Sequence, residues 1–173
     1  MKRLALALGV LLILSASSWA YDLTLHDTKA EVYFSPRGGC TEALVRHLER
    51  AERSIYVQAY SFTSPTITQA LIGAQARGVE VEVILDKSQS RGQGAAGTML
   101  RDAGVKVFID SAHAIAHNKV MLIDGRTLVT GSFNFTKAAE NSNAENLVVL
   151  ESPEAVGLYR ENYLKHLEHS LGL

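Results

Sequence analysis

From residue 30 to residue 109 the chain alternates short β-branched or aromatic runs with stretches of helical periodicity, and that alternation confines it to an α/β architecture. Ala30–Phe34, Ser54–Tyr60 (SIYVQAY), Val79–Leu85 (VEVEVIL) and Lys106–Ile109 read as strands. Between the first two, Thr41–Glu52 places Ala43, Leu44, Leu48 and Ala51 at helical spacing. Ser64-Pro65 supplies an N-cap and an N1 proline for a helix running to Arg77, which Gly78 closes. Ala95–Ala103 is a second covering helix, closed by Gly104. Strands joined through helices pair in parallel. Further on the pattern changes: Val120–Ile123 and Thr127–Thr130 flank Asp124-Gly125-Arg126, and Asp-Gly favours a tight hairpin. Leu147–Leu150 is a last strand and Pro153 opens a C-terminal helix. The expectation is one α/β domain with a mixed, largely parallel β-sheet flanked by helices, with no repeat and no linker.

The first twenty residues stand outside that domain. Lys2 and Arg3 precede an unbroken apolar run, Leu4–Leu14, and Ser18-Trp19-Ala20 places small residues where a signal peptidase reads them. The run is eleven residues long, short of the roughly 20 that cross a bilayer. Residues 1–20 therefore read as a cleavable signal peptide, and 21–173 as an exported domain, periplasmic or secreted, with no stable membrane insertion. A retained anchor is the competing reading. Losing Lys2 and Arg3 leaves fifteen basic residues against eighteen acidic ones, a formal charge of −3. A broad nucleic-acid-binding surface is usually basic, so any phosphate binding here has to be local. Cys40 is the only cysteine; no intramolecular disulfide and no cysteine zinc site can form, and a small buried or capping residue is the plain reading.

Chemistry concentrates between Ile115 and Glu145. His117 and Lys119 are two apart and lead into a strand, so β-spacing puts imidazole and ammonium on one face. Imidazole serves as nucleophile or proton donor near neutral pH, and an ammonium stabilises charge on the oxygens of a five-coordinate phosphorus. Ser132 and Asn134, again two apart, arrive on the strand after the hairpin, where a hydroxyl and an amide can hold a phosphate oxygen. Gly131 leaves room for backbone to approach the anion. Each of these residues has an ordinary reading alone: surface pair, turn residue, or, for Asp124, hairpin chemistry.

Together they form His117-x-Lys119-x4-Asp124-x6-Gly131-Ser132-x-Asn134, which resembles the complete HKD motif of the phospholipase D superfamily. The flanks Phe133-Asn134-Phe135-Thr136-Lys137-Ala138-Ala139-Glu140, Ala144-Glu145-Asn146 and Ala59-Tyr60-Ser61-Phe62-Thr63 are similar to its small, single-motif, Nuc-like bacterial endonuclease branch. The resemblance implies a phospholipase D-like fold and a metal-independent phosphodiesterase working through a covalent phosphohistidine. It also implies two motifs per site, one histidine attacking phosphorus and the other protonating the leaving oxygen. This chain has one motif and no other His-x-Lys, so a two-fold homodimer with the site on its axis is expected. By the same resemblance Lys119, Ser132 and Asn134 grip the phosphoryl group, Glu145 orients the histidine, and Asp124 and Gly131 are structural.

Lys87 and Arg91, beyond the carboxyl end of a strand, are candidates for a phosphate chain, as are Arg126 and Lys137 beside the motif strands; solvated surface charge is the alternative for all four. His113-Ala-Ile-Ala-His117 has helical metal-ligand spacing, but the glutamate of the zinc-protease pattern is missing and a strand follows at once, while His166 and His169 belong to a polar helix end. No metal or other cofactor is expected. For substrate, a nucleic acid cleaved without base readout fits the short chain and its flanks. A phospholipid headgroup hydrolase is the first alternative, a non-catalytic nucleic-acid-binding module the second.

Overall fold

A computed structural model describes residues 20–90 and 96–173, so the expected leader, apart from Ala20, and Arg91 lie outside the described residues. In chain order the elements are β1 (Ala30–Ser35), α1 (Cys40–Glu49), β2 (Ser54–Ala59), α2 (Pro65–Ala76), β3 (Glu80–Asp86), a 3-10 turn (Lys87–Gln89), α3 (Ala96–Asp102) and β4 (Lys106–Asp110). Then come β5 (Lys119–Ile123), β6 (Thr127–Gly131), α4 (Lys137–Asn141), β7 (Glu145–Glu151), α5 (Pro153–Glu168) and β8 (Leu171–Gly172). The strands form a single eight-stranded sheet in the order β1-β7-β6-β5-β2-β3-β4-β8.

The helix ends are those the sequence prescribes. Ser64 Oγ accepts from Ile67 N with Pro65 in the first turn, and Ser152 Oγ accepts from Ala155 N with Pro153 in the same place. Gly78 (φ 90°) and Gly104 (φ 87°) close α2 and α3 in the left-handed conformation that other residues avoid. One face of the sheet, with Ile55, Val57, Val83, Leu85, Met121 and Val129, is covered by the buried sides of α1, α2 and α3. The other, with Ile84, Val120, Leu122 and Leu128, is covered by Ala155, Val156 and Tyr163 of α5. Each such fully buried aliphatic side chain contributes about 1.5–3 kcal/mol. Cys40 lies in the first of these cores, fully buried, and burial, aided by the negative charge of Glu140, pushes its thiol pKa up to about 11.

The mixed α/β sheet agrees with expectation, but its parallel share is smaller. Only β2–β3 and β3–β4 are parallel; β1–β7, β7–β6, β6–β5, β5–β2 and β4–β8 are antiparallel. The reason is connection length: a parallel neighbour needs a long crossover, and helices α2 and α3 provide the two crossovers of that kind. The β5–β6 hairpin forms as read, with Asp124 (φ 56°) and Gly125 (φ 70°) both left-handed and Arg126 N donating to Ile123 O at 3.1 Å.

One rim of this sheet gathers the carboxyl ends of β1, β2, β3, β4 and β6 with the amino ends of β5 and β7. Every residue of the HKD pattern except Asp124 lies at or just beyond that rim.

Candidate active site

Lys119 is the first residue of β5 and pairs with Ala59, the last of β2; Tyr60 N donates to Asn118 O at 2.9 Å and continues the ladder back toward His117. His117 is exposed, its ring tilted against that of Tyr60 with centroids 4.6 Å apart. Lys119 is buried, with Nζ 5.1 Å from the Tyr60 centroid and donating to His117 O at 2.7 Å. Burial holds the Lys119 pKa below the ordinary lysine value, and the negative charge of Glu145 works against that fall. Tyr60 thus touches both motif side chains, a role sequence reasoning missed although the residue stands in the Ala59–Thr63 segment.

Asp86 was missed as well. It is buried at the end of β3, where Oδ1 accepts from Ser88 N (2.8 Å) and Oδ2 from Ala116 N (2.7 Å). It pins the loop that delivers His117. The negative charge costs solvation on burial, but these donors outweigh that cost and hold the carboxyl below the usual range. A lone aspartate at the carboxyl end of an apolar strand was the available signal.

Beyond β6, Phe133 and Phe135 point into the core and are fully buried, which turns the alternate residues Ser132 and Asn134 outward. Ser132 and Asn146 form a reciprocal pair: Ser132 N donates to Asn146 Oδ1 (3.1 Å) and Asn146 N donates to Ser132 Oγ (3.0 Å). Gly131 (φ 148°) serves this pair. A Cβ there would lie 2.3 Å from Asn146 O, so the missing side chain admits the neighbouring strand. Asn134 N donates to Glu145 Oε2 at 2.9 Å, while its own Oδ1 is buried without a hydrogen-bond partner among the described residues. An unpaired buried amide is costly, and it lies beside a depression lined by Tyr60, Ser61, Thr63 and Lys137.

Glu145 holds the neighbouring loop within its own chain. Its Oε1 accepts from Asn143 Nδ2 (2.7 Å) and its Oε2 from Asn134 N, and among the described residues no hydrogen bond joins it to His117. Both oxygens help to fix the loop before β7, and its charge acts on Lys119. Asp124 lies at the other end of β5 and is structural, by more than turn chemistry. Its buried carboxylate accepts from the backbone N–H groups of Glu52, Arg53 and Ser54 at 2.8–3.2 Å. Burial alone would raise its pKa; these three donors and the charge of Arg126 bring it below the usual carboxylate value.

Of the candidate phosphate-binding side chains, Lys137 lies beside Asn134 and Lys87 stands on the same rim, where Nζ donates to His113 O at 2.8 Å. Arg126 does not. It follows the far end of β5, roughly 16 Å from Lys119 at the usual rise per residue, and lines a hollow with Lys29, His47 and Glu151. Nor does the structure build the His113/His117 pairing: His113 turns away to Asp110, His166 and His169.

Comparison with known proteins follows the same residues. Residues 44–167 match the family model described as the phospholipase D-like domain of cardiolipin synthase. A phospholipase D from Rickettsia conorii is 44% identical over 140 residues, 81% of this chain and 70% of that protein. A mitochondrial cardiolipin hydrolase from Danio rerio is 35% identical over 73% of this chain, which spans 56% of that longer protein. The crystal structure of Nuc, a phospholipase D family member from Salmonella typhimurium, superposes with a TM-score of 0.79 at 34% identity, covering 85% of this chain and 99% of Nuc.

Proposed function

This chain belongs to the phospholipase D-like family of phosphodiester hydrolases, and from that premise we propose that it is an endonuclease whose active site is completed by a second copy of itself. The observation that carries the reading is the incompleteness of the site within one chain. His117 is exposed, its ring nitrogens have no hydrogen-bond partner among the described residues, and no second His-x-Lys occurs in the sequence. Nucleic acid is favoured by the Nuc-like motif flanks and by the polar rim of Tyr60, Ser61, Thr63, Asn134 and Lys137. The protein acts beyond the inner membrane, with residues 1–20 as its export leader; among the described residues no helix is long and apolar enough to cross a membrane.

In this mechanism a ring nitrogen of His117 attacks phosphorus, the P–N bond forms, and the P–O bond to the departing nucleoside breaks. His117 of the partner subunit gives its proton to the leaving oxygen. Water then attacks phosphorus, loses a proton to that same second histidine, and releases the first as the phosphate monoester departs. Lys119 and Asn134 from both copies hold the non-bridging oxygens, with Ser132 beside them.

The test sets two substrates side by side. Purified full-length protein in excess EDTA is given single- and double-stranded DNA in one series, and vesicles of cardiolipin or phosphatidylcholine in the other. DNA cleavage without release of phosphatidic acid is the expected result. The names of the Rickettsia and Danio relatives favour a second reading, phospholipase action; release of phosphatidic acid with DNA left intact would put it first.

Glu145 supplies a prediction about pH. Burial already lowers the Lys119 pKa and Glu145 opposes that fall, so Glu145→Gln makes Lys119 lose its proton at a lower pH. The alkaline limb of the pH–rate profile, read with bis(p-nitrophenyl) phosphate, is expected to move to lower pH. An unmoved limb would mean that Lys119 needs no support from Glu145.

A further inference from the structure

At the end of the sheet rim, outside the HKD site, one carboxylate gathers three imidazoles. Asp110 ends β4 and its side chain is fully buried. His113 follows in the loop toward His117, while His166 lies in the last turn of α5 and His169 caps it. Asp110 Oδ2 lies 2.9 Å from His113 Nδ1, 2.9 Å from His166 Nδ1 and 3.4 Å from His169 Nε2. The three rings are mutual neighbours, with centroids 4.8, 5.0 and 5.5 Å apart.

Hydrogen bonding accounts poorly for this arrangement. A carboxylate oxygen has two lone pairs, and here three ring nitrogens converge on one oxygen. The other oxygen is not free to share them, because Asp110 Oδ1 already accepts from Ala112 N at 3.1 Å and approaches His113 Nδ1 at the same distance. A single divalent cation would satisfy all four side chains at once.

We propose that Asp110, His113, His166 and His169 form a binding site for one divalent transition-metal ion, zinc foremost. Three neutral imidazoles and a carboxylate are a donor set suited to zinc. Bonds of about 2.0 Å in tetrahedral geometry place ligand atoms roughly 3.3 Å apart. The four candidate atoms already lie within 4.8 Å of one another, so small side-chain rotations close the shell. The elements that carry them are fixed independently: β8 pairs with β4 through Phe108↔Gly172 and Ile109↔Leu171, and Ser170 Oγ donates to His166 O at 2.7 Å.

Four protein ligands make a structural site, without an open position for substrate. The ion clips the end of α5 to the loop whose other end is His117. It supplies no group to phosphodiester hydrolysis, so the site stands whichever substrate the protein cleaves.

The test uses tag-free, full-length protein stripped of metal. Titration with zinc is expected to show one equivalent per chain, bound at micromolar concentration or tighter, and to raise the thermal midpoint by about 5 °C or more. Cobalt in place of zinc should give the intense visible bands of a four-coordinate site. His113→Ala and His169→Ala, both at partly exposed positions, should each weaken binding by at least about 100-fold and abolish those bands. His117→Ala should bind zinc as the wild type does, which separates this site from the HKD chemistry. Absence of zinc binding, or zinc affinity unchanged in both His113→Ala and His169→Ala, would overturn the proposal.

Discussion

Replacing His117 by alanine is expected to reduce phosphodiester hydrolysis by at least about 10^4-fold, because the proposed mechanism then loses its attacking atom. The fold should barely notice. The ring is exposed and packs on Tyr60, so the thermal midpoint should stay within about 2 °C of wild type. The more telling experiment mixes subunits. If one site needs His117 from both copies, a dimer with a single alanine subunit is as dead as one with two. Co-refolding equal amounts of wild type and His117→Ala should then leave about a quarter of the wild-type activity, the fraction of fully wild-type dimers under random pairing. Independent sites would leave half. A value near one half would sink the shared site while leaving His117 as nucleophile.

Asp124→Ala should be the most damaging substitution for stability, at about 3–5 kcal/mol in urea unfolding at neutral pH. The carboxylate is the common acceptor for three successive backbone N–H groups, of Glu52, Arg53 and Ser54, where the chain enters β2. Alanine leaves those donors without a partner and must also hold φ 56°, which Asp tolerates and alanine resists. Asparagine is a poor substitute, since its NH2 would face donors. The effect carries a pH signature. The Asp124 pKa is lowered in the folded protein, so its stabilising contribution is complete above the unfolded value, about 3.9, and fades as pH falls through the lower folded value. The gap between wild type and Asp124→Ala should therefore narrow below about pH 4. A gap of constant size in acid would mean that the carboxylate charge plays no part.

The sequence spoke clearly where a signal is local. The cap at Ser64, the helix opening at Pro153, the closing glycines at 78 and 104, and the Asp-Gly hairpin are each set by a few adjacent residues, and each was found where expected. The HKD pattern was legible for the same reason: two adjoining strands deliver its residues to one rim. What escaped depends on distance through space. Whether neighbouring strands run parallel depends on which of them meet, not on their own residues. The bonds that the backbone amide of Asn134 and the side chain of Asn143 make to Glu145 could not be read from spacing. Arg126 is close to the motif in sequence yet lies a whole strand away from its chemistry, which counting residues along β5 would have revealed. The cluster around Asp110 joins two pairs, Asp110 with His113 and His166 with His169, that lie more than fifty residues apart, and no spacing rule connects one pair to the other. Short pieces such as α4 and β8 carry too few residues for any periodicity to register.

The single thiol has a consequence for how copies of this chain meet oxidants. Cys40 is fully buried and its pKa stands near 11, so the folded protein offers almost no thiolate to react. Folded subunits can sit side by side in an oxidising compartment without becoming covalently joined. An unfolded copy loses that shelter and can capture another through the same sulfur. Disulfide-linked pairs would therefore be a record of chains that had come apart.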